Sequence, residues 1–403
     1  MPGIVVRLSV MMFLQFSVWG AWFTALYPYL TENLGFTGPQ ASGIFGTLWL
    51  ACMIAPMIGG QIVDRFFPTQ IFLAFAHLAG AVLLYLASVQ TNYGPMWYCA
   101  LLYGLLYAPT LALVVSISMH HLADPDKQFG PVRTWGTVGW ILAGWSVTVI
   151  RTLFHTQTWT DRSDLFTIAS VLSLITGLYC FALPHTPPKR EAANPFAFLE
   201  AIALLKDRNF LVFMLCSFVV TTELQFYYIP TAAFLQDGGV SAEWVTTVLT
   251  TAQIAEIVVL AFLLRISLKR YGVRRTMAIG ILAWPLRYFL FTVPSLPVII
   301  ASLTLHGFGY AFFFVASQIY VDRKASSDTR ASAQALLTFF TLGLGNFLGT
   351  MFTGWCLEWF KNVETGATNW TPFFLVPAGI CIAVAIIFLT LFRDDAHGAA
   401  EQA

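Results

Sequence analysis

Charged residues occur inside long apolar stretches of this chain, where they could bind a solute or carry a proton. Glu223, Glu256 and Arg287 lie within such stretches, and Arg133 begins another. A charge in the hydrocarbon core of a bilayer is costly, so each one is a candidate for a substrate or ion path. Glu256 is the main candidate for proton coupling, because a carboxyl group in a low-dielectric lumen takes up a proton readily. Glu223 is either a second proton-coupling acid or an internal partner of Arg287.

The spacing of the polar residues places them on shared helix faces. Arg133, Thr137 and Trp140 stand at i, i+4 and i+7, which is one face of a helix. Three further pairs have helical spacing: Gln225 with Tyr228, Gln253 with Glu256, and His306 with Tyr310. Lipid would reject these faces, so we expect them to turn inward and to bind a neutral, flat, hydroxyl-rich solute by ring stacking and hydrogen bonds. Hydrogen bonds between helices are the alternative role of Gln225 and Gln253.

These residues are carried by twelve apolar stretches, most of them long enough to cross a bilayer as a helix, which takes about 20 residues. The predicted spans are 5–30, 40–63, 69–89, 95–121, 132–152, 164–184, 209–236, 242–266, 274–293, 296–321, 330–357 and 371–392. The composition agrees, since 58% of the chain is hydrophobic and 10% is charged, against roughly 25% charged residues in soluble domains. The sequence therefore predicts an all-α integral membrane protein with twelve transmembrane helices.

Basic residues are distributed unevenly over the predicted loops. Most of the 21 Lys and Arg residues lie in loops 2–3, 4–5, 6–7, 8–9 and 10–11 or near the termini, whereas Arg151, Arg162 and Lys361 lie in the opposite loops. Cytoplasmic loops carry the excess of Lys and Arg, so both termini are expected in the cytoplasm. The sequence thus predicts a multi-pass membrane protein with this orientation. The net charge of +1 gives no indication of a nucleic-acid partner.

The chain divides into two similar halves. Residues 1–184 and 209–403 each hold six predicted spans, and a cytoplasmic linker, 185–208, joins them. The second part of the linker could form an amphipathic helix on the membrane surface. Two six-helix repeats suit a transporter, because one half can rock against the other around a site at their interface. A glycine-containing loop in the first half ends in Asp64 and Arg65, which are predicted to form a conformational latch; an ordinary solvated charge pair is the alternative.

Several segments carry a resemblance to a known family. They are 13–22 (FLQFSVWGAW), 107–111 (YAPTL), 133–139 (RTWGTVG), 223–225 (ELQ), 283–288 (AWPLRY) and 330–334 (RASAQ). These segments resemble the bacterial nucleoside:proton symporter family of the major facilitator superfamily, and the resemblance runs from the first predicted helix to the eleventh. It implies a fold of two six-helix bundles. It also implies import of nucleosides with protons across the inner membrane by rocker-switch alternating access.

The resemblance further implies a set of substrate residues. Carried over by position, these are Arg133, Thr137, Gln225, Gln253 and Glu256. Trp140 stands where phenylalanine is usual, Tyr228 where asparagine is typical, and His306 and Tyr310 where aromatic residues are typical. Ala311 stands where the family has an aspartate, so one intramembrane acid is missing. This departure leaves open a facilitator, or a symporter for another hydroxylated solute such as a sugar.

Other classes of function find little support in the sequence. It contains no HExxH, no GxSxG and no phosphate-binding loop, which argues against an enzyme. It has no sizeable cytoplasmic domain of the kind that a transport-fold solute sensor would use. The six cysteines form no CxxC and are interpreted as buried apolar residues, and His77 is interpreted as a packing residue. We expect no metal and no cofactor, and a monomer whose partners are a nucleoside, protons and the lipid bilayer.

Overall fold

The computed structural model describes residues 2–58, 66–154, 163–188, 199, 201–325 and 330–393 of the chain. Helices make up nearly all of the regular structure in these ranges, beside an isolated antiparallel bridge between Lys361 and Thr368. Apolar stretches of this length must form helices in lipid, because a helix satisfies its backbone N–H and C=O groups within one segment. The chain forms two compact units.

The first unit comprises Met1–Pro195 together with the segment Tyr228–Val248. Its main helices are α1 (Pro2–Phe23), α2 (Gly38–Ile58), α3 (Thr69–Ser88), α4 (Tyr93–His121), α5 (Pro125–Leu153) and α6 (Asp164–Cys180). After α1 the chain continues through a three-residue helix, Leu26–Pro28, and a π-helical turn, Tyr29–Asn33. The later segment of this unit contains a short helix, Thr231–Asp237.

The second unit comprises Phe196–Tyr227 and Leu249–Ala403. Its main helices are α7 (Arg208–Tyr228), α8 (Thr251–Val258), α9 (Leu264–Phe291), α10 (Leu296–Ser302, Leu305–Gly309 and Ala316–Lys324), α11 (Arg330–Thr338 and Asn346–Trp359) and α12 (Trp370–Leu391). The π-helical turns of this unit are Val259–Leu263, Tyr310–Val315 and Phe339–Gly345 within the described ranges. Such turns are frequent at functional sites.

Eight helical stretches in the described part of the chain are long and apolar enough to cross a membrane. The predicted spans 8 and 9 lie in one continuous stretch of 47 residues, Val245–Phe291. This stretch is kinked at Gly272, whose φ of 73° favours glycine. Helix α6, with 17 residues, is apolar but shorter than a full span. The number of membrane crossings, twelve, therefore stays a prediction.

Small residues let α1 and α5 pack closely in the first unit. A Cβ atom on Gly139 would overlap the Phe13 carbonyl group, and one on Gly20 would lie 2.9 Å from the Trp140 Cα. The Ser17 hydroxyl donates a 3.0 Å hydrogen bond to the Gly139 carbonyl oxygen across the same contact. Small residues are typical of such close helix contacts in membranes. The contact holds the predicted solute-binding face of α5 against α1.

Another glycine brings α8 and α10 together in the second unit. A Cβ atom on Gly307 would lie 2.6 Å from the carbonyl carbon of Ala255 and 2.8 Å from the backbone nitrogen of Glu256. The two backbones therefore approach each other at this level, which a larger residue would prevent. Because His306 precedes Gly307, the contact sets His306 beside Glu256.

Some predicted features lie outside the described residues. The latch residues Asp64 and Arg65 are among them, and their role stays a prediction. Within the linker, residues 189–198 and 200 also lie outside, and Ala201–Lys206 forms a 3-10 helix. The predicted half boundary at residue 209 stays a prediction too.

Candidate functional site

Arg133 lies on α5 beside the aromatic face of α1. Its guanidinium carbon is 4.1 Å from the centroid of the Phe16 ring. A cation over an aromatic face gains roughly 0.5–2 kcal/mol, depending on how far it is desolvated. The side chain of Arg133 is half-buried. The contact thus fixes the position of the charge, while the N–H groups of the guanidinium can donate to the oxygens of a solute.

Aromatic rings surround the other predicted residues of the first unit. Trp140 lies 5.3 Å from Trp19 and 6.1 Å from Phe23, measured between ring centroids. Phe23 in turn lies 5.7 Å from Tyr228. All three pairs have the edge-to-face geometry in which aromatic rings attract one another. We call Phe16, Trp19, Phe23, Trp140 and Tyr228 the aromatic wall.

The sequence interpretation missed the α1 side of the aromatic wall. Phe16, Trp19 and Phe23 stand at i, i+3 and i+7, so a search for aromatic helix faces would have found them. Thr137, a predicted solute contact, is half-buried on α5 one turn after Arg133. The wall and these two residues offer ring faces, one positive charge and the hydroxyl groups of Thr137 and Tyr228 within a single unit.

Glu256 and His306 lie next to each other in the second unit. His306 Nε2 is 3.9 Å from the nearer carboxylate oxygen of Glu256. The His306 side chain is 1% exposed and that of Glu256 is 12% exposed, so the carboxyl group is the accessible end of the pair. His306 also stacks on Tyr310, with ring centroids 5.9 Å apart. The structure therefore brings together these three predicted residues from α8 and α10.

Arg287 lies beside Nδ1, the other nitrogen of the His306 ring. Its Nη1 is 3.5 Å from His306 Nδ1, and its side chain is fully buried. Arginine can only donate, so Nδ1 is the acceptor; in the neutral ring Nε2 then carries the hydrogen, on the side of Glu256. The rings of Tyr227 and Trp284 lie 3.9 and 4.6 Å from the guanidinium carbon. The sequence marked Arg287 as intramembrane but did not include it in the site.

Glu223, on α7, is a second buried acid near Arg287. Its side chain is 1% exposed, and its carboxylate oxygens receive no hydrogen bond of normal geometry from the described residues. It interacts electrostatically with Arg287. The Tyr288 hydroxyl connects the two, because it accepts a 3.4 Å bond from Arg287 and donates a 3.2 Å bond to the backbone carbonyl of Glu223. Glu223 and Arg287 are therefore neighbours linked through Tyr288, without a direct ion pair between them, and the role of Glu223 stays a prediction.

The two predicted glutamines have different surroundings. Gln225 is fully buried, its Nε2 donates to Asn346 Oδ1 at 2.8 Å, and its Oε1 accepts from the Thr350 hydroxyl at 3.3 Å. It therefore joins α7 to α11, which is the alternative role considered for it. Gln253 is 6% exposed, and its Oε1 has no hydrogen-bond partner among the described residues. Of the two amides, Gln253 retains more capacity to bind a solute.

His77 belongs to a separate polar network in the first unit. Its Nε2 is 2.8 Å from Gln15 Oε1, and Gln15 Nε2 donates to the Thr110 hydroxyl at 2.7 Å. The Ser173 hydroxyl donates to the His77 carbonyl oxygen at 2.8 Å. These bonds join four helices in the interior of the unit, which is consistent with the packing role expected for His77. No group of three or more His, Cys, Asp or Glu residues that could hold a metal ion occurs in the described ranges.

Comparison with known proteins identifies the family of this chain. A family model described as nucleoside H+ symporter matches residues 2–397. The chain belongs to the nucleoside H+ symporter family. The family resemblance inferred from the sequence segments is thereby confirmed.

Relatives of this nucleoside H+ symporter family member match it over nearly its whole length. Nucleoside permease NupG of Escherichia coli (strain K12) is 29% identical, over 96% of this chain and 95% of NupG. Xanthosine permease of the same organism is 30% identical, over 97% of this chain and 96% of the permease. A crystal structure of nucleoside transporter NupG is similar in fold, with a TM-score of 0.86 and 28% identity, covering 97% of this chain and all of that one. The fold is therefore that of the major facilitator superfamily, in a multi-pass membrane protein that is a transporter and not an enzyme.

Proposed function

We propose that this chain imports nucleosides together with protons across the bacterial inner membrane by alternating access. Membership of the nucleoside H+ symporter family and the likeness to NupG and xanthosine permease support this function. The observation in this chain that carries it is Glu256, an accessible acid on an apolar helix, paired with His306. Coupled transport requires such a group, because substrate and proton must bind the two states of the transporter with different free energies.

Solute binding is assigned to the polar and aromatic residues predicted from the sequence. They are Arg133, Thr137, Trp140, Gln225, Tyr228, Gln253, Glu256, His306 and Tyr310. A nucleoside has a flat base that can stack on rings such as Trp140, and stacking with a base is worth roughly 1–3 kcal/mol. Its ribose hydroxyls can donate to Glu256 and Gln253. Gln225 contributes only in a conformation that exposes it, because its side chain is fully buried here.

Proton coupling is assigned to Glu256, with Glu223 in support. Ala311 supplies no acid, and it is fully buried in an apolar cluster with Val259, Leu264 and Phe312. Coupling at this depth of the second unit therefore depends on the two glutamates. A facilitator lacks this requirement, and the family match favours a nucleoside over a sugar as the solute.

The proposal includes the organisation of the chain in the membrane. Both termini lie in the cytoplasm, and twelve helices cross the bilayer, six each in residues 1–184 and 209–403. Asp64 and Arg65 form a latch that stabilises the outward-open state. The protein works as a monomer.

Uptake of radiolabelled uridine and adenosine into proteoliposomes tests the proposal. We expect accumulation above the equilibrium level under an inward proton gradient, and its collapse on addition of a protonophore; liposomes without protein are the control. Saturable uptake that ignores the gradient would overturn the proton coupling and indicate a facilitator. Absence of nucleoside uptake, with uptake of a member of a sugar panel, would overturn the substrate.

A further inference from the structure

Arg287 is placed to act on two acids at once. Its guanidinium group is fully buried among aromatic rings, and its Nε has no hydrogen-bond partner among the described residues. On one side, His306 connects it to Glu256 through distances of 3.5 and 3.9 Å. On the other side it interacts electrostatically with Glu223, whose carboxylate is enclosed. One permanent positive charge thus serves two carboxyl groups.

The charges of this group do not balance when both acids are ionised. Arg287 contributes one positive charge, Glu223 and Glu256 contribute one negative charge each, and His306 is neutral while it accepts from Arg287. In the described part of the chain, the side chains of Tyr227, Tyr288, Tyr310 and Cys381 also face this group, and they carry no charge at neutral pH. A net charge in a low-dielectric interior is costly. One proton, bound by either glutamate, removes that net charge.

We propose that Arg287 is the positioning residue of the proton site, shared by Glu256 and Glu223, so that the group holds one proton on one of the two acids. Arg287 keeps His306 in the tautomer that presents Nε2–H to Glu256. Glu256, the more exposed acid, exchanges the proton with the lumen, and Glu223 is the enclosed alternative. The role of these four residues in transport rests on the proposed function. The sharing of one proton between Glu256 and Glu223 does not depend on that function.

A carboxyl titration of the purified protein, followed by infrared difference spectroscopy, tests the shared proton without any transport. Arg287→Gln leaves two acids without a counter-charge, so we expect the pH midpoint of the carboxyl band to rise by roughly 1–3 pH units. Glu223→Gln leaves Arg287 to Glu256 alone, so we expect the midpoint to fall. The double variant, Arg287→Gln with Glu223→Gln, loses one positive and one negative charge and so keeps the net charge of the native group. Its pH midpoint should lie between those of the two single variants.

Two substitutions of His306 test the connection to Glu256. His306→Phe keeps a ring against Tyr227 and Tyr310 but removes both nitrogens, so the midpoint should rise, by less than in Arg287→Gln. In His306→Gln the amide nitrogen can replace Nε2–H as a donor, and the shift should be smaller. Glu364→Gln, in an exposed loop of the same unit, is the matched control and should leave the midpoint unchanged.

Opposite shifts in Arg287→Gln and Glu223→Gln support the proposal, and equal or absent shifts overturn it. If Arg287→Gln does not fold, His306→Phe and Glu223→Gln decide, because they must also shift the midpoint in opposite directions. Uridine counterflow in the same preparations separates the two levels of inference. The expected titration without nucleoside exchange would overturn the proposed function alone, whereas exchange with an insensitive titration would overturn the role of Arg287.

Discussion

The first unit buries Arg151 and the second buries Arg287, and the two guanidinium groups have opposite surroundings. Arg151 makes bonds of 2.5 and 3.0 Å to the two carboxylate oxygens of Asp164, and a bond of 2.7 Å to the Ala242 carbonyl oxygen. Arg287 makes two long bonds, of 3.5 and 3.4 Å, to His306 and Tyr288, and otherwise lies against ring faces.

The difference shows that a buried charge alone does not identify a functional residue. Both side chains are at most 2% exposed. Arg151 has a bidentate acid of its own, so a dedicated carboxylate balances its positive charge. Arg287 shares its charge with groups that can gain or lose a proton. A buried charge that interacts with titratable partners is a candidate for a functional site, whereas the fully paired Arg151 is consistent with a structural ion pair.

Loss of Glu256, the accessible acid linked to Arg287 through His306, should have the largest effect on transport. In Glu256→Gln the amide cannot take up a proton, so we expect accumulation driven by a pH gradient to be abolished, while some nucleoside exchange remains. Proteoliposome uptake with a proton gradient, beside counterflow without one, measures both quantities. Accumulation equal to that of the native protein would contradict the assignment of coupling to Glu256.

Loss of Asp164, the acid bound to Arg151, should lower the stability of the protein without changing its proton coupling. Asp164→Ala leaves a buried charge without its partner, which typically costs about 3–5 kcal/mol. We expect a corresponding loss of unfolding free energy in detergent, with the pH dependence of uptake by the surviving protein unchanged. The double variant Arg151→Leu with Asp164→Leu is the control, because apolar replacement of both partners is often neutral. A shifted pH profile of uptake in Asp164→Ala would contradict this prediction, because it would show that the Arg151 ion pair also affects proton coupling.

The aromatic wall of the first unit should contribute to affinity without affecting coupling. Trp140→Ala removes a ring that we assign to base stacking, worth roughly 1–3 kcal/mol, or about a 5- to 150-fold rise in the Kd of uridine. Trp140→Phe keeps a ring and should change the Kd less. Equilibrium binding of labelled uridine to the purified protein measures both. An unchanged Kd in the alanine variant would remove Trp140 from the solute site.

Local spacing predicts which residues share a helix face, but it does not predict their partners on other helices. The helical face of Arg133, Thr137 and Trp140 follows from intervals of three and four residues, and the structure has these residues on one helix. His306 and Glu256 were each identified as polar groups in apolar segments. Their pairing depends on the close approach at Gly307, which no local pattern shows.

Arg151 shows the limit of sequence reasoning most clearly. The predicted span 132–152 includes Arg151 at its end, but the count of basic residues treated it as a loop residue, and nothing in the sequence indicated that it is only 2% exposed in the last turn of α5. Its partner Asp164 comes 13 residues later, at the start of α6. Gln225 and Asn346, 121 residues apart, are a similar case. Such pairs are set by tertiary packing, whose long-range contacts leave no periodic signal in one sequence.

The more exposed ion pair of Lys324 with Asp207 extends the comparison to the surface, and its loss should have the smallest effect. Lys324 Nζ lies 2.9 Å from Asp207 Oδ2, and the two side chains are 26% and 38% exposed, respectively. The hydrogen bond from Lys324 is the main reason why the pKa of Asp207 lies below its ordinary value of 3.8. Folding lowers this pKa, so the pair stabilises the protein above about pH 3.8, and the gain is lost as the pH falls further.

Solvent screening limits such a pair to roughly 0.2–1 kcal/mol. We therefore expect Lys324→Ala to lower the free energy of unfolding in detergent by at most about 1 kcal/mol at neutral pH, and by less in acid, where Asp207 is protonated. Asp207→Asn should have the same effect at neutral pH, and the double variant should add little, because both substitutions remove one interaction. A loss of several kcal/mol that persists in acid would group this pair with Arg151 and Asp164, and would mean that burial is not what separates strong ion pairs from weak ones in this protein.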